Sequence, residues 1–476
     1  MKYKDIAEQI IVDIQRHKLT PGQRLPSLRQ LTKQMGVSMT TALNSYHNLE
    51  QRGWVVAHPK SGFFVSKPVS QGDIPTQPQF KSSSRQVSKN LEPGEYHRSN
   101  STSGPFGITH LCPSNVPLLS LQRSIKRSVQ RNDSLLHAYS DPQGIYELRQ
   151  ALVDHFGVNG FTMTPEDIFI SGGCMDAIRV ALLATTKPGD AVAISSPCFN
   201  GLLKLLSSMS RLVVEIPSHS DGVDLQQLEQ KFKNKEIQAA LFSSSYMNPH
   251  GISLSIEQKQ SLAQMANKYR IPIIEDDVYS ELGYEHTFPL PIKYWDTDGY
   301  VLWCSSVSKS LANGLRIGWC SAGRYLESCV EMNATERFCQ NGLLQASLAD
   351  FMNSGQYRKH LQNIRKIIFA NACAFRDLLL HHLPKGSAVS APSGGLALWI
   401  QVPDLQDVKL KAFADEANIE IRLGSQFTTR KLYHDYFRLN LGWGLSEMHD
   451  SKRTIEQALI ELSTGVHKAL GKSKIS

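Results

Sequence analysis

The sequence predicts a two-part α/β protein. A small winged helix-turn-helix is followed by a large body with a mostly parallel sheet covered by helices on both faces. Three observations predict this. The 476 residues exceed one compact domain. The first 68 residues carry the signals of three helices and a hairpin. From about residue 108, short β-branched runs alternate with helical stretches, which is typical of parallel sheets.

The composition is that of an ordinary globular protein, with 41% hydrophobic and 20% charged residues. No run of 18 apolar residues predicts a membrane span, and the N-terminus has no apolar stretch of signal-peptide type. The eight cysteines are scattered without CxxC pairs. This pattern favours reduced thiols and a cytoplasmic location, and argues against a zinc or other metal site.

The net charge of +8 is unevenly distributed. Residues 1–68 hold ten lysines and arginines against four acids, so this part carries +6 of the total. A basic part joined to a nearly neutral body indicates a polyanionic partner for the basic part. Taken alone the signal is weak, because solvated protein faces are often this basic.

Apolar spacing and capping residues predict three N-terminal helices. The first covers residues 4–16, and the second begins after the N-cap residue Ser27. A turn at 36–37 precedes the third, which begins at Ser38 and ends near Arg52. Two β-rich runs, 54–58 and 63–65, then form a small hairpin, the wing.

In a helix-turn-helix, the second helix of the pair enters the major groove of DNA. The candidate DNA-contacting residues lie in the first turn of that helix, around the start of the preceding helix, and on the wing tip: Ser38, Met39, Thr40 and Thr41; Arg24, Ser27 and Arg29; Lys60 and Gly62. A solvated surface charge is the alternative for each basic residue alone. A winged helix used for protein contact is the alternative for the whole pattern.

Residues 69–107 differ from both neighbours, since eight of these 39 residues are serine and large apolar groups are few. Such a segment buries too little surface to offset its ordering entropy. We therefore predict a flexible linker over 69–107.

The remainder, 108–470, is predicted to form the body. Its predicted strands are Ile168–Ile170, Ala191–Ile194, Leu212–Val214, Ala239–Phe242 and Ile271–Ile274. A smaller α/β unit is predicted from about residue 365, with strands near Leu396–Val402 and Tyr436–Leu441.

Lys309 is the most informative residue of the body. It follows Ser306 and Ser308, and Arg316 comes seven residues later. A lysine amine can form an imine with the aldehyde of pyridoxal 5'-phosphate (PLP), while hydroxyls and a guanidinium hold its phosphate. Without suitable neighbours elsewhere in the chain, a solvated lysine is the more common interpretation.

Those neighbours are present. Asp276 follows an apolar strand, where α/β sheets place ligands, and can keep the pyridine nitrogen of PLP protonated. Tyr279 and Asn248 can each hydrogen-bond the phenolate oxygen of the ring. An acidic strand end alone is more often a helix cap or a metal site.

A phosphate cup and a stacking surface complete the predicted site. Gly173, Cys174 and Met175 lie between a strand and a helix, where free amide groups attract a dianion. Phe199 can stack on the ring. A plain turn and ordinary core packing are the alternatives for these residues.

Two family resemblances follow from these motifs. Arg24-Leu25-Pro26-Ser27, Gly36-Val37-Ser38 and Ser61-Gly62-x-Phe64-Val65 resemble the N-terminal domain of GntR-type regulators. Asn248-Pro249-x-Gly251 and Ser306-x-Ser308-Lys309 resemble fold-type I aminotransferases. In this order the two parts resemble the MocR subgroup of GntR regulators.

The resemblance implies further roles. It implies a fold-type I aminotransferase-like body in which Tyr139 reaches the phosphate of a neighbouring subunit and Arg438 binds the α-carboxylate of an amino-acid-like effector. It also implies a homodimer with exchanged, head-to-tail domains. Two reading helices then predict an operator with two half-sites on double-stranded DNA.

Three hypotheses remain at this point. The first is a PLP-dependent transcription regulator that senses PLP, an amino compound, or both at Lys309. The second is a working aminotransferase that carries a DNA-binding domain. The third is a degenerate body that only forms dimers. Whether net transamination occurs stays open.

Overall fold

A computed structural model gives the fold. It describes residues 2–15, 19, 23–51, 54–58, 62–65, 74–86, 105–131, 133–220, 222–284 and 288–471. The chain divides into two compact units, Met1–Gly72 with Tyr284–His286, and Asp73–Gly283 with Thr287–Ser476. They are called unit 1 and unit 2.

Unit 1 contains the predicted winged helix-turn-helix. Its helices are Lys2–Gln15, Leu28–Met35 and Met39–Gln51. Strands β1 (Val55–His58) and β2 (Gly62–Val65) pair antiparallel. The isoleucines of the first helix pack with Leu31, Tyr46 and Leu49 in one apolar core. The helical spacing read from the sequence is confirmed.

Local chemistry fixes the helix-turn-helix. The Ser27 hydroxyl accepts a hydrogen bond from the Gln30 amide, and the Gln30 side chain accepts one from the Ser27 amide. This capping box satisfies two amides that the helix leaves open. Gly36 ends the helix with φ +60°, a conformation that costs glycine little. The turn between the two helices is therefore specified by its own residues.

Unit 2 is built on a large sheet. Its strands are β3 (Ser84–Gln86), β4 (Ile168–Ser171), β5 (Ala191–Ser196), β6 (Leu212–His219), β7 (Gly222–Val223), β8 (Ala239–Ser243), β9 (Ile273–Asp276), β10 (Val301–Ser306) and β11 (Gly318–Ser321). They lie in the order β3-β6-β5-β8-β9-β10-β11-β4, with β7 beside β6. The central run from β6 to β10 is parallel.

Helices cover both faces of this sheet, as the sequence predicted. Alternate residues of β5 point to opposite faces: Val192 and Ile194 enter one apolar core, while Ala191 and Ala193 enter the other. The helices of unit 2 are Leu118–Arg131, Tyr146–Gly157, Cys174–Thr185, Asn200–Ser208, Leu225–Lys233, Ile256–Tyr269, Leu326–Arg337, Gly342–Asn353, Gln356–His382, Asp407–Glu416 and Ile455–Ala469. In the described ranges, no helix is both long and apolar enough to cross a bilayer.

The smaller sheet lies in the C-terminal part of unit 2. It contains β12 (Ala388–Val389), β13 (Ala397–Gln401), β14 (Arg422–Leu423) and β15 (Tyr436–Asn440), in the order β12-β13-β15-β14. The two predicted strands of the smaller unit are confirmed within one residue. Strand β9 begins two residues later than predicted, and β10 and β11, which flank Lys309, were not among the predicted strands.

The prediction of a flexible linker over 69–107 is wrong for residues 74–86. Strand β3 pairs antiparallel with β6 at the edge of the large sheet. Ser82 donates its amide to Gln227 at 2.8 Å, and Thr76 donates its amide to Gln401 at 3.0 Å. The guanidinium of Arg430 lies 4.1 Å from the Phe80 ring centre. An edge strand needs only backbone partners, so its polar composition gave no sign of this pairing.

Candidate functional site

The predicted DNA-reading surface of unit 1 is presented to solvent. Ser38, Met39 and Thr40 are exposed at the start of the helix Met39–Gln51, and Thr41 is partly buried. The Ser38 hydroxyl accepts a hydrogen bond from the Thr41 amide at 3.2 Å. On the opposite face of this helix, Tyr46 is fully buried and donates to the Pro26 carbonyl at 2.7 Å. The helix is therefore held by one face and open on the other.

Two further residues extend this open face. Asn44 and His47 are exposed, four and seven residues after Thr40, so the three lie along one stripe of the helix. An asparagine amide can form two hydrogen bonds with adenine in the major groove. Neither residue was among the predicted contacts, which ended with the first turn, although the buried Ala42, Tyr46 and Leu49 mark the other face.

Arg24, Ser27 and Arg29 are exposed around the start of the preceding helix. A β-carbon built on Gly62, where β2 begins, would lie 3.5 Å from the Arg24 guanidinium. The structure therefore brings Arg24 to the base of the wing. Lys60 lies outside the described residues.

The second candidate site surrounds Lys309, three residues beyond β10. Its ammonium donates to the Thr109 carbonyl at 2.5 Å. Burial, followed by the positive charge of Arg438, lowers the pKa of Lys309 to about 8. A lysine with a lowered pKa carries more of the neutral, nucleophilic amine near neutral pH.

Asp276 ends β9, beside β10, at the same edge of the sheet. It accepts hydrogen bonds from the Cys174 thiol at 3.2 Å and from the Ser243 hydroxyl at 3.4 Å. Burial raises the pKa of Asp276, and the Cys174 bond opposes this rise. A cationic ring nitrogen at this position would favour the ionised carboxylate.

Tyr279 and Asn248 lie beside Asp276. The Tyr279 hydroxyl is 2.7 Å from Thr109 Oγ1, and Asn248 is close enough to the same hydroxyl to act on its pKa. Burial raises the pKa of Tyr279 to about 12, so it stays a hydrogen-bond donor at neutral pH. Both side chains are buried.

The predicted phosphate cup is assembled from two distant segments. Arg316 donates to the Gly172 carbonyl at 2.7 Å. A β-carbon on Gly173 would lie 2.8 Å from that guanidinium, so glycine is what allows the approach. The helix Cys174–Thr185 starts there, and its first-turn amides favour an anion. The Gly172 amide itself is bound to Asp176 at 2.8 Å.

The two serines differ in their contacts. Ser306 accepts a hydrogen bond from the Ser308 amide at 3.3 Å. The Ser308 hydroxyl is buried and has no partner among the described residues. A buried hydroxyl without a partner is costly, and an anion here would satisfy it. Together with Gly173 and Arg316, this hydroxyl makes the residues present suited to the phosphate of PLP.

Arg438 reaches the same cluster from β15 of the smaller sheet. It is 3% exposed, donates to the Gly107 carbonyl and lies 5.9 Å from the Phe427 ring centre. Its positive charge acts to lower the pKa of both Lys309 and Tyr279. The arginine that the resemblance assigned to a carboxylate is therefore close to the predicted imine lysine.

Three of the predicted residues stand apart from the polar contacts. Phe199 and Met175 are partly buried and pack against the apolar core that contains Val192 and Ile194. Tyr139 is 87% exposed and stacks on Phe338 at 6.0 Å. Within the single chain, the structure does not bring Tyr139 to Lys309.

Comparison with known families covers both units. Residues 107–450 match the family described as aminotransferase class I and II. Residues 2–65 match the bacterial regulatory proteins of the gntR family. Two curated relatives span the whole arrangement. The HTH-type transcriptional regulator YdcR of Escherichia coli (strain K12) is 30% identical over 98% of this chain and 100% of its own length. The regulator YjiR of the same strain is 32% identical over 98% of each chain.

The chain belongs to the MocR-type group of GntR regulators. Solved structures agree on the fold of unit 2 in this MocR-type protein. A kynurenine aminotransferase from Pyrococcus horikoshii matches with a TM-score of 0.71 and 22% identity, over 78% of this chain and 92% of that one. A multiple substrate aminotransferase from Thermococcus profundus matches with a TM-score of 0.72 and 20% identity, over 81% and 98%. At these identities the likeness shows the fold alone.

Gly107 and Thr109 are the residues that the sequence analysis missed at this site of the MocR-type protein. Their carbonyls contact Arg438 and Lys309 directly. One sequence signal could have found them. Asn440 lies two residues after Arg438, so both point to the same face of a buried strand, and a buried asparagine requires partners. Its amide donates to the carbonyls of Pro105 and His110.

Proposed function

We propose that this MocR-type protein is a PLP-dependent transcription regulator that senses PLP, an amino compound, or both at Lys309. Unit 1 would bind an operator with two half-sites, and unit 2 would bind the effector and form the homodimer. The observation that carries the proposal is the joint presence of an exposed reading helix and a half-buried lysine whose pKa is lowered to about 8.

The residues of unit 2 suit the cofactor. When bound, PLP supplies an aldehyde for amine condensation and a ring that withdraws electrons. Lys309 would hold the aldehyde carbon and Asp276 the ring nitrogen. Tyr279 and Asn248 would hold the ring oxygen, and Arg316 with Ser308 would hold the phosphate.

An exposed apolar surface of unit 2 supports the homodimer. Leu118, Leu119, Leu136, Tyr139 and Phe338 are each between 59% and 87% exposed. Two of them, Tyr139 and Phe338, stack on each other, and exposed large apolar side chains that lie together mark contact surfaces. A second copy of the chain covering Tyr139 would bring that hydroxyl toward a phosphate, as the family resemblance implies.

A working aminotransferase is the second candidate, favoured by the proximity of Arg438 to Lys309. It predicts sustained turnover of an amino acid with a keto acid and no specific DNA binding. The regulator predicts specific DNA binding whether or not slow turnover occurs.

The test starts from sheared genomic DNA. The purified full chain is used to enrich fragments with and without PLP, and the enriched fragment is then titrated by fluorescence anisotropy. We expect a few strongly enriched sites whose affinity changes on the order of fivefold or more with PLP, which is an ordinary coupling between two sites.

Lys309→Ala is the matched variant, since it removes the amine and leaves unit 1 intact. It should bind the same fragment without a response to PLP. Uniform enrichment of all fragments, or an equal PLP response in Lys309→Ala, would refute the proposed function.

A further inference from the structure

Residues 105–110 of this chain cover the Lys309 site from within the same unit. The Thr109 carbonyl accepts from the Lys309 ammonium at 2.5 Å, and the Gly107 carbonyl accepts from Arg438. The Thr109 hydroxyl is 2.7 Å from the Tyr279 hydroxyl. Gly107 and Thr109 therefore contact three groups of the site: Lys309 and Tyr279, to which the proposed function assigns the aldehyde and the ring oxygen, and Arg438, to which the family resemblance assigns the effector carboxylate.

This segment is held by β15. The Asn440 side chain donates to the carbonyls of Pro105 at 2.8 Å and His110 at 3.0 Å. The Asn440 amide donates to the Phe106 carbonyl at 3.1 Å, and the Phe106 side chain is fully buried. Its ends are therefore anchored, while its middle faces Lys309 and Arg438.

The contacts are of a kind that a ligand can replace. A carbonyl is a neutral acceptor, and a carboxylate on an arginine forms a stronger, charge-assisted pair. Lys309 cannot keep three N–H donors once its nitrogen is bonded to another group. Occupation of the site thus removes two of the three contacts that hold the middle of the segment, and the bond between Thr109 and Tyr279 remains.

We infer that residues 107–109 are an internal ligand of the effector site, which the carboxylate of an amino compound displaces. The inference rests on the proposed function, because it assigns the regulation of that same site. The segment ends the stretch that was predicted to connect the two parts of the chain. Residues 74–86, whose strand β3 pairs with the large sheet, lie between this segment and unit 1 in sequence, so release of the segment controls effector access to the site within unit 2.

Competition has a measurable consequence. A ligand that must displace an internal competitor binds with an affinity reduced by the fraction of molecules in which the site is open. Weakening the segment should therefore tighten carboxylate binding. If the segment were instead a lid that closes over the ligand, weakening it would loosen binding, so the two roles differ in sign.

Hydrogen exchange of the full chain tests this with propionate, which has a carboxylate and no amine to react. The reporters are the amides of His110 and Cys112, which donate to the Asn440 side chain at 3.3 Å and to the Gly442 carbonyl at 2.9 Å. Propionate should accelerate their exchange on the order of threefold or more. Propionamide, its neutral analogue, should not.

Three variants test the same competition. Thr109→Val removes the bond to Tyr279, and Thr109→Ser keeps the hydroxyl. We expect half-saturation at about threefold to tenfold less propionate in Thr109→Val than in Thr109→Ser, the range of one hydrogen bond. Arg438→Met should lose the response to propionate altogether.

Exchange that is unchanged or slowed by propionate would overturn the inference. So would a Thr109→Val variant that needs as much propionate as Thr109→Ser, or more. These measurements need neither PLP nor DNA. A failure of PLP or operator binding would refute the proposed function separately, while the exchange experiment still decides the role of the segment.

Discussion

The two candidate sites are built in opposite ways. The reading surface of unit 1 comes from residues close together in sequence on one exposed helix face and at the exposed start of the preceding helix. The Lys309 site joins residues from Thr109 to Arg438, and most of them are buried. An exposed local surface can change its contacts without disturbing the fold. A buried nonlocal cluster couples its charges, so each change there should alter the neighbours as well.

The largest expected effect is at Lys309. Lys309→Ala should abolish the visible absorbance of bound PLP, because the amine that would form the imine is removed. Absorbance titration with PLP checks this, with the exposed Lys187 as the control in Lys187→Ala. Retained absorbance in Lys309→Ala would place the cofactor elsewhere.

The second largest effect is expected for substitutions in the helix Met39–Gln51 and around the start of the helix before it. Asn44→Ala and Thr40→Ala should weaken binding to the enriched operator by about 5- to 150-fold if they contact base edges. Arg24→Ala and Arg29→Ala should instead lower the salt slope by about one each. Anisotropy at several salt concentrations separates the two classes. PLP absorbance should be unchanged in all four variants, and a loss of it would break the proposed separation of the sites.

The pH dependence of PLP binding tests the electrostatic coupling between Lys309 and Arg438. Only the neutral amine is a nucleophile, so the rate of PLP binding should rise with pH to a midpoint near 8, the lowered pKa of Lys309. Arg438→Met removes a positive charge that lowers this pKa, so its midpoint should move upward while PLP still binds. Stopped-flow absorbance measures both. Identical midpoints would mean that the two residues act independently.

The smallest expected effect concerns the cap of the second helix. Ser27→Ala should cost about 1 kcal/mol of the stability of unit 1. Ser27→Asp keeps an N-cap acceptor but places a negative charge where a DNA phosphate is expected. Hydrogen exchange of residues 28–51 should therefore increase only in Ser27→Ala, while operator affinity falls in both. Equal operator affinity in Ser27→Asp and the parent chain would show that Ser27 does not lie at a DNA phosphate.

The contrast also explains what the sequence could predict. The helix cap at Ser27, the turn at Gly36 and the wing depend on neighbouring residues, so local chemistry specifies them. Lys309, Asp276 and Arg316 could be found because each lies near a strand end or beside a glycine turn. Gly107 and Thr109 could be reached only indirectly, through the buried Asn440, since they contact Arg438 and Lys309 through backbone carbonyls, which every residue type carries. Residues 74–86 were misassigned for the same reason.

The most direct test of the central claim measures operator affinity in the full chain with and without PLP, in parallel with Lys309→Ala. We predict that PLP changes the affinity of the parent chain on the order of fivefold or more and leaves that of Lys309→Ala unchanged. An identical affinity of the parent chain in both conditions would contradict the claim that occupancy at Lys309 controls DNA reading.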